Sequence, residues 1–287
     1  MTPAAGLTIE SALRQASATL ASAGVEAPRR DARLLLAGAM QVGAEALLAY
    51  PERPLGIDEQ TRFDRLIARR ISREPVSRIL GHREFWSLDF RVTPAVLDPR
   101  ADSEALVEAL LEEVPDRTAA LRLLDLGTGS GCLLLALLHE LPVASGVGID
   151  ASAEALAVAA ENARALGLGQ RASFQLGDWC AGLRERFDIV VTNPPYIAEA
   201  AIDALEPEVS RFDPLQALAG GQDGLQAYRV LAPQIAGCLK PGGLAGAEHG
   251  EGQSEAVQAL FSAAGLRFLA VRHDLGGLAR CVLFRQR

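Results

Sequence analysis

A loop with two consecutive prolines is the part of the sequence whose residue types point most directly to chemistry. Thr192-Asn193-Pro194-Pro195-Tyr196-Ile197 follows the apolar run FDIVV, which is typical of a buried strand. Proline fixes φ and lacks a backbone N–H, so the loop is expected to be stiff and extended. The Asn193 side-chain oxygen and the Pro194 carbonyl are then placed to accept both hydrogens of one planar NH2 group. These two acceptors would orient the nitrogen lone pair and stabilise positive charge as it develops on that nitrogen.

A glycine-rich loop is the second segment with a chemical signature. DLGTGSG, residues 125–131, follows the apolar run LRLLDL and precedes CLLLALLHE, which is typical of a helix. Glycines let the backbone approach a ligand closely, and the helix N-terminus offers unpaired N–H groups. Asp150 ends the next predicted strand, GVGID, where a carboxylate can accept hydrogen bonds from ribose hydroxyls. A nucleotide-like ligand is therefore predicted to contact Asp150 and the loop residues Gly127, Thr128, Gly129, Ser130 and Gly131.

The spacing of this loop favours S-adenosylmethionine over a dinucleotide. Dinucleotide-binding loops have the pattern G-x-G-x-x-G, whereas this loop is G-x-G-x-G preceded by Asp125, as in S-adenosylmethionine-dependent methyltransferases. This methyl donor has no pyrophosphate, and its sulfonium and ammonium groups are cationic, so nearby carboxylates would stabilise it. The segment GDWC adds Asp178 and Trp179, which are predicted to contact the adenine amino group and ring. Either residue alone is equally compatible with a helix cap or ordinary packing. Tyr196 is predicted to pack against the target group or the sulfonium.

The elements that must position these residues change character along the chain. Residues 8–80 show helical patterns, with Thr8 as a helix cap, Pro28 in the first turn of a second helix, and apolar residues at helical spacing from Phe63 to Ile71. Residues 84–100 alternate aromatic or β-branched residues with polar ones and predict a hairpin. We therefore predict a helical domain over residues 1–80, a hairpin linker over 81–102 and a methyltransferase domain over 103–287.

Strand and helix patterns alternate beyond residue 103, which predicts an α/β fold with a Rossmann-like sheet, and the resemblance of the glycine loop to those of S-adenosylmethionine-dependent methyltransferases implies the class I methyltransferase type. Strands separated by helix-length segments form mostly parallel sheets with helices on both faces. The short turn DLGGLA joins the last two strands, so an antiparallel strand is expected at one edge of the sheet. The predicted strands lie near 121–126, 145–150, 172–176, 186–192, 243–248, 267–273 and 280–285.

Composition narrows the class of protein. The 287 residues carry a formal net charge of −8, which disfavours sequence-independent binding to nucleic-acid phosphates, because such binding depends on Lys and Arg contacts. No apolar run reaches the roughly 18 residues that a membrane span needs, and the N-terminus lacks the pattern of a signal peptide. A cytoplasmic location without membrane contact is therefore expected. A monomer is also expected, although no pattern in the sequence decides the oligomeric state. The four cysteines lie far apart, with no histidine at ligand spacing, so no metal site is predicted.

The motifs DLGTGSG, GID, GDW and TNPPYI, in this order, resemble those of the S-adenosylmethionine-dependent methyltransferases that modify planar amino groups on adenine, cytosine or glutamine. Residues 73–108, 212–231 and 239–253 narrow the resemblance, since they look like the bacterial peptide chain release factor glutamine methyltransferase family. The resemblance runs over nearly the whole chain. It implies methyl transfer from S-adenosylmethionine to the side-chain amide nitrogen of the glutamine in the Gly-Gly-Gln motif of class I release factors. The implied partner is a protein, with no direct binding to nucleic acid.

Positions carried over from this family give the site residues their implied roles. Gly127 to Gly131, Asp150, Trp179 and Asn193 would bind the donor, and Asn193 to Tyr196 would hold the substrate glutamine. The helical domain and the hairpin would bind the release factor.

Five arginines lie in one short stretch of the helical domain: Arg62, Arg65, Arg69, Arg70 and Arg73. Taken alone, such a run is more typical of a solvated helix face than of a docking patch. The resemblance makes the run a better candidate for contact with the release factor.

Two segments depart from the family pattern. Asp98-Pro99-Arg100-Ala101-Asp102-Ser103-Glu104 stands where IPRPDTE is common, and the loss of a proline after Arg100 is expected to loosen this loop. Phe212-Asp213-Pro214 stands where Glu-Pro is frequent. Neither departure touches the loop that would hold the amide, so both bear on substrate affinity more than on chemistry.

The residues by themselves leave other activities open. A sister family that methylates a ribosomal-protein glutamine shares the NPPY loop, and adenine methylation in DNA also uses it. The net charge and the lack of an evident target-recognition domain count against DNA. A nicotinamide-dependent oxidoreductase would use the glycine loop but gives no role to NPPY, and a non-enzymatic binding protein would not need a donor pocket.

Overall fold

The computed structural model describes residues 7–274 and 276–287, and these form two compact units. The smaller unit contains the chain up to Gly81 together with Glu206–Phe212, and the larger unit contains His82–Leu205 and Asp213–Arg287. Residues 1–6 of the predicted helical domain lie outside the described part. The hairpin that was predicted as a linker belongs to the larger unit. A short segment from the second half of the chain completes the smaller unit, which no sequence pattern indicates.

The secondary structure follows the predicted change from helices to alternating strands and helices. The helices are α1 (Ile9–Ser22), α2 (Pro28–Met40), α3 (Ala46–Ala49), α4 (Ile57–Ile71), α5 (Val76–Leu80), α6 (Glu104–Glu112), α7 (Cys132–Glu140), α8 (Ala153–Ala165), α9 (Pro207–Ser210), α10 (Leu215–Leu218), α11 (Gln226–Cys238) and α12 (Ser254–Ala263). Two 3-10 helices span Ala101–Ser103 and Glu199–Ala204. The strands are β1 (His82–Phe85), β2 (Leu88–Arg91), β3 (Arg122–Leu126), β4 (Ser145–Asp150), β5 (Ala172–Leu176), β6 (Phe187–Thr192), β7 (Leu239–Glu248), β8 (Arg267–His273) and β9 (Ala279–Arg285).

The smaller unit encloses one apolar core between its helices. The Thr8 hydroxyl accepts a hydrogen bond from the Ser11 N–H at 3.3 Å and caps α1, while Pro28 begins α2, where its missing N–H leaves no hydrogen bond unmade. Phe63 and Ile67 lie four positions apart on α4 and share its buried face. Each large apolar side chain in such a core contributes about 1.5–3 kcal/mol when it is fully buried.

A buried ion cluster ties Glu206–Phe212 to the rest of the smaller unit. The Arg70 guanidinium, in a residue only 6% exposed, donates to the Asp31 carboxylate at 2.7 Å and to the Glu208 carboxylate at 2.8 Å. Arg73 also donates to Glu208, at 2.7 Å. Burial by itself would raise the pKa of Glu208, but the hydrogen bonds from Arg73 and Arg70 outweigh it and lower this pKa to about 2. Glu208 therefore stays ionised across the physiological range.

This cluster accounts for much of the arginine run that the sequence analysis singled out. Arg70 and Arg73 bind carboxylates within the smaller unit, and Arg69 binds Glu74. Arg62 donates to the Ala39 carbonyl at 2.8 Å. Most of the run thus stabilises the helical unit itself, and its part in docking stays a prediction.

A seven-stranded sheet forms the centre of the larger unit, in the order β5-β4-β3-β6-β7-β9-β8. Neighbouring strands from β5 to β7 run parallel, and β9 pairs antiparallel with both β7 and β8. The prediction of a mostly parallel Rossmann-like sheet is confirmed. The antiparallel strand β9 lies one place inside the edge, and β8 is the edge strand. The turn predicted between β8 and β9 includes residue 275, which lies outside the described residues.

Apolar side chains cover both faces of this sheet. Leu123 and Leu124 are neighbours on β3 and point to opposite faces, one packing with α6 and α7 and the other with α11 and α12. Leu133 to Leu138 of α7 are all buried, which matches a helix that is apolar on every side. Within the described part of the chain, no helix is both long enough and apolar enough to cross a membrane.

The strand order places a ligand-binding crevice at a defined point of the sheet. The chain runs from β3 outward to β4 and β5, and β6 then pairs on the other side of β3. In open α/β sheets the crevice at the carboxyl ends of the two strands at such a switch point is where ligands bind. The glycine loop follows β3 and Asn193 follows β6, so both begin at this crevice.

The hairpin β1–β2 closes with a turn that non-glycine residues rarely form. Its central residues Trp86 and Ser87 have φ of 54° and 57°, the left-handed conformation that tight two-residue hairpins require. The Trp86 backbone N–H donates to Glu104 at 2.7 Å, and its indole N–H donates to Glu140 at 2.9 Å. These two contacts hold the turn against its backbone strain.

The ion cluster of the smaller unit gives a prediction about stability. Glu208→Gln should lower the free energy of unfolding by about 1–3 kcal/mol at neutral pH, because it takes the shared carboxylate from two guanidinium groups. The folded-state pKa lies below the ordinary value of 4.5, so this contribution is complete above about pH 4.5 and is lost as the pH falls through about 2. Urea unfolding of both proteins across this range measures the difference.

Glu206→Gln is the matched control for this substitution. Glu206 lies on the same segment and contacts Arg73 at 3.0 Å, but its side chain is 75% exposed. Its loss should change the free energy of unfolding by less than about 0.5 kcal/mol. Equal effects of the two substitutions would contradict the importance of the buried cluster.

Candidate active site

A cavity of about 320 Å³ opens at the carboxyl ends of the parallel strands. Loops that follow β3, β4, β5 and β6 form its walls, together with residues between Ala95 and Ser103 and between Pro214 and Ala217. Its size falls within the range of small-molecule sites. Nine of the twelve residues that the sequence predicts for the site line this cavity: Gly127, Thr128, Gly129, Ser130, Asp150, Asp178, Trp179, Asn193 and Pro195.

The other three predicted residues, Gly131, Pro194 and Tyr196, are not among those that line the cavity. A Cβ on Gly131 would lie 3.2 Å from Leu135 and 3.3 Å from Ala159, and its φ is 82°, so this glycine permits close packing where α7 begins. Pro194 is buried, and the Tyr196 side chain packs against the core beside α11. Their side chains therefore shape the loops around the cavity.

Three N–H groups of the glycine loop already have acceptors within the protein. Gly127 and Thr128 both donate to the Ile149 carbonyl, at 2.9 and 3.0 Å. Gly129 donates to the Asp150 carboxylate at 2.8 Å. A pyrophosphate would need such N–H groups to point at its own oxygens. The loop thus makes a poor anion cradle, which counts against a dinucleotide and fits the cationic donor S-adenosylmethionine.

Asp150 is held at the cavity wall by backbone groups. Its second oxygen accepts a hydrogen bond from the Ser152 N–H at 2.9 Å. Each carboxylate oxygen can accept more than one hydrogen bond, so both keep capacity for ligand hydroxyls. The geometry is therefore compatible with the ribose contact that the sequence predicts.

Two buried polar side chains fix the glycine loop from behind. Asp125, which is 1% exposed, accepts a hydrogen bond from the Thr128 hydroxyl at 2.7 Å. Burial raises the pKa of Asp125 to about 7, the Thr128 hydrogen bond opposes this rise, and the Asp150 charge adds to it. Asn162 donates to the Ser130 carbonyl at 2.9 Å and accepts from the Arg91 N–H at 2.8 Å. Asn162, which the sequence analysis missed, thus connects the hairpin to the glycine loop.

Trp179 lies on the cavity wall in a strained backbone conformation. Its φ is 51°, which is rare for a bulky residue and is found mainly where surrounding contacts impose it. A Cβ on Gly127 would lie 3.3 Å from the Trp179 ring, so the indole covers the backbone of the glycine loop. Among the described elements no helix lies between β5 and β6, so a helix-capping role for Asp178 has no support.

The backbone of residues 218–226 supports the proline loop along its length. The Ile197 N–H donates to the Leu218 carbonyl at 3.0 Å, and the Ile197 carbonyl accepts from the Gly220 N–H at 2.8 Å. The Gln253 side-chain amide donates to the Tyr196 carbonyl at 2.9 Å. The loop is therefore held by hydrogen bonds as well as by its prolines.

Two glycines let these backbones approach each other. A Cβ on Gly220 would lie 2.8 Å from the Pro195 carbonyl oxygen, and one on Gly224 would lie 2.3 Å from the Tyr196 carbonyl oxygen. The φ of Gly224 is 74°, which side chains also disfavour. The segment AGGQDG, residues 219–224, thus lets the backbone pack closely against the proline loop.

Glu248 ends β7 as a buried carboxylate that the sequence analysis did not name as a site residue. It is 2% exposed, and the Tyr196 hydroxyl donates to its Oε1 at 3.4 Å. The Asn193 amide donates to the Ser103 hydroxyl at 3.4 Å. Burial raises the pKa of Glu248 to about 7, while the polar side chains of Ser103 and Asn193 near the carboxylate oppose this rise. The signal that would have revealed it is a lone acid at the end of the apolar run GGLAGAE.

The two segments that depart from the family pattern meet at the edge of the cavity. The Asp213 carboxylate accepts hydrogen bonds from the Arg100 guanidinium at 2.6 Å and from the Asp98 N–H at 3.3 Å. The 3-10 turn Ala101–Ser103 is closed by a bond from the Ser103 N–H to the Arg100 carbonyl at 3.1 Å. Asp213 therefore anchors the loop in which the family's proline is missing.

Comparisons with known proteins match both parts of the chain. Residues 11–81 match the family described as the PrmC N-terminal domain, and residues 99–207 match the family described as the methyltransferase small domain. A release factor glutamine methyltransferase of Rhodospirillum rubrum is 51% identical over 265 residues, covering 92% of this chain and 81% of that protein. One of Caulobacter vibrioides is 47% identical over 278 residues, covering 96% of each chain.

A solved structure shares the architecture of the larger unit. A methyltransferase from Pyrococcus furiosus aligns with a TM-score of 0.50 and 13% identity, covering 69% of this chain and 89% of that chain. At this identity the likeness concerns the fold alone.

The close approach at Gly224 gives a prediction about the loop. Gly224→Ala should lower the free energy of unfolding by about 2–4 kcal/mol, because the new Cβ meets the Tyr196 carbonyl and adopts a disfavoured φ. Thermal unfolding measures the change.

Gly237→Ala is the matched control, since no atom lies within 4 Å of a Cβ at this position inside α11. It should leave stability unchanged or raise it by up to about 1 kcal/mol, and an equal loss from both changes would contradict the role of Gly224.

Proposed function

This chain belongs to the family of release factor glutamine methyltransferases, and we propose that it methylates the side-chain amide nitrogen of a glutamine in a peptide chain release factor. The methyl donor is S-adenosylmethionine. We take the target to be the glutamine of the Gly-Gly-Gln motif in class I release factors, as the sequence resemblance implies. The observation that carries the proposal is the position of Asn193 on the cavity wall, at the end of β6 and beside the glycine loop that follows β3.

The donor-binding roles are assigned to residues that line one cavity. We assign the ribose hydroxyls to Asp150, and the adenine ring and amino group to Trp179 and Asp178. The glycine loop covers the rest of the donor, with the N–H groups of Gly127, Thr128 and Gly129 already paired. When bound, S-adenosylmethionine supplies an electrophilic methyl group.

The acceptor roles fall to Asn193 and the Pro194 carbonyl. An amide nitrogen is a poor nucleophile because its lone pair is delocalised into its own carbonyl group. Acceptors on both of its hydrogens direct the lone pair at the methyl carbon and stabilise the positive charge that develops on nitrogen. The Tyr196 ring closes the side of the loop that faces the core, and residues 218–226 keep the loop in place.

The helical unit is assigned to recognition of the release factor. The match of residues 11–81 to the PrmC N-terminal domain supports this assignment, and so does the sequence resemblance. An enzyme that modifies release factors acts where translation takes place, so we propose a cytoplasmic location. We further propose that the chain acts as a monomer and does not itself bind nucleic acid or membranes.

A labelling experiment tests the substrate. The purified protein, supplied with methyl-labelled S-adenosylmethionine, should label a class I release factor, and replacing the glutamine of its Gly-Gly-Gln motif should abolish the label. Label in ribosomal protein or duplex DNA, with the release factor unlabelled, would overturn the assignment.

Two substitutions at the cavity should affect different steps, one the rate of methyl transfer and the other the binding of the donor. Asn193→Ala should leave donor affinity measurable while methyl transfer falls at least ~100-fold, the scale of losing a polar group positioned for the transition state. Asp150→Ala should instead raise the dissociation constant of the donor. Calorimetric titration and single-turnover assays measure the two quantities, with Glu154→Ala on the neighbouring exposed turn as a control. Unchanged turnover in Asn193→Ala would refute the proposed role of this residue.

A further inference from the structure

The direction in which the Asn193 amide points matters for its proposed role. Its Oδ1 can accept a hydrogen from a substrate NH2 group, whereas its Nδ2 can only donate. The two ends have nearly the same shape, so packing alone does not distinguish them. Hydrogen bonds to neighbouring side chains of the protein must therefore decide which end faces the substrate.

The side chains next to Asn193 favour an orientation in which Nδ2 points towards Ser103 and Glu248. Asn193 Nδ2 donates to the Ser103 hydroxyl at 3.4 Å, and both side chains lie near enough to the Glu248 carboxylate to lower its pKa. The Oε2 of Glu248 is buried and has no hydrogen-bond partner among the described residues, so a strong acceptor lies next to the amide with capacity to spare. An ionised carboxylate accepts hydrogen bonds and donates none, so it attracts the NH2 end and repels the carbonyl end.

Glu248 is itself held in place by its backbone. Its carbonyl accepts a hydrogen bond from the buried Tyr228 hydroxyl at 2.7 Å. Its position on β7 pairs with Cys281 of β9. The Tyr196 hydroxyl donates to Oε1 at 3.4 Å, so one carboxylate contacts the last residue of the NPPY loop and faces its first.

We propose that Glu248 is a positioning residue, which attracts Asn193 Nδ2 towards itself and thereby presents Oδ1 to the substrate amide. The proposal rests on the proposed function, because it gives Asn193 an NH2 group to hold. Glu248 itself does not line the cavity and touches no reacting atom. Its ionised form is the one that can only accept, so positioning requires Glu248 to be deprotonated.

Other titratable and charged groups surround Glu248. Asp102 in the 3-10 turn raises its pKa, and Arg280 on β9, which binds Asp102 at 2.9 Å, lowers it. Burial raises the pKa of Tyr196 and of Tyr228. Burial also raises the pKa of Cys132 and of Cys281 to about 12, so these neighbours keep their protons near neutrality. Glu248, with a pKa of about 7, is thus the group of this cluster expected to change charge there.

The first test compares the wild-type protein with Glu248→Gln. In this variant an NH2 group replaces one carboxylate oxygen, so the Asn193 side-chain amide can flip and exchange the positions of Oδ1 and Nδ2. The value of kcat/KM for the release factor should then fall roughly 10- to 100-fold, as expected for a misplaced catalytic contact. The donor dissociation constant should stay within about twofold.

For the wild type, kcat should fall as the pH is lowered from about 8 to 6 at saturating donor, and this dependence should be absent in Glu248→Gln. Saturating donor removes the effect on donor binding of Asp125, whose pKa lies in the same range beside the glycine loop.

A double substitution separates positioning from simple loss of structure. Asn193→Asp presents an oxygen to the cavity in either orientation, but beside Glu248 it creates two neighbouring carboxylates. Adding Glu248→Gln supplies a donor to that aspartate, so the double variant should be roughly tenfold more active than Asn193→Asp alone. A purely structural role for Glu248 predicts the reverse order. Tyr228→Phe, which removes only the hydrogen bond to the Glu248 carbonyl, is the control and should keep the wild-type pH dependence.

The outcomes distinguish this inference from the proposed function. If the wild type labels ribosomal protein in place of the release factor, the substrate assignment fails, and the Glu248 comparison is made with that glutamine acceptor. If Glu248→Gln keeps the wild-type rate or its pH dependence, or if the double variant is the less active one, the positioning role is refuted.

Discussion

An amide nitrogen reacts only when both of its hydrogens are held and its lone pair points at the electrophile, and the rest of this structure depends on meeting that constraint. In the proposed function the two acceptors come from adjacent residues, Asn193 and Pro194, so the peptide between them must be rigid. Prolines supply part of this rigidity. The remainder comes from backbone hydrogen bonds between Ile197 and residues 218–220 and from the Gln253 amide on the Tyr196 carbonyl. Glycines at 220 and 224 are needed because these two segments of the backbone lie too close together for a Cβ.

The donor side of the cavity follows from the same sheet. Parallel strands bring their carboxyl ends to one edge, so the glycine loop after β3 and the loop after β6 begin side by side. The N–H groups of Gly127, Thr128 and Gly129 bind Ile149 and Asp150, and this internal pairing fits the proposed binding of a ligand without a pyrophosphate. Asp125 and Asn162 hold this loop from behind the cavity wall.

Charged groups play different roles in the two units. In the smaller unit, Arg70 and Arg73 are matched by carboxylates, so the pKa of Glu208 falls and the cluster stabilises the fold. In the larger unit, burial raises the pKa of Asp125 and Glu248 to about 7, which leaves two carboxylates near the cavity able to change charge around neutrality. Stability and positioning are thus assigned to groups whose pKa values move in opposite directions.

Local patterns in the sequence were sufficient for the mostly parallel sheet, for the helices of the smaller unit and for nine residues that line the cavity, because strand alternation, helix spacing and glycine or proline backbone preferences act over a few residues. The family also followed from short motifs in order along the chain. Contacts between distant segments required the tertiary structure: Glu208 with Arg70, Arg100 with Asp213, Asn162 with the glycine loop, and Glu248 facing Asn193. None of these pairs has a fixed spacing in the chain. Burial, which sets the pKa of Asp125 and Glu248, likewise depends on every segment packed around a group, so only the folded protein determines it.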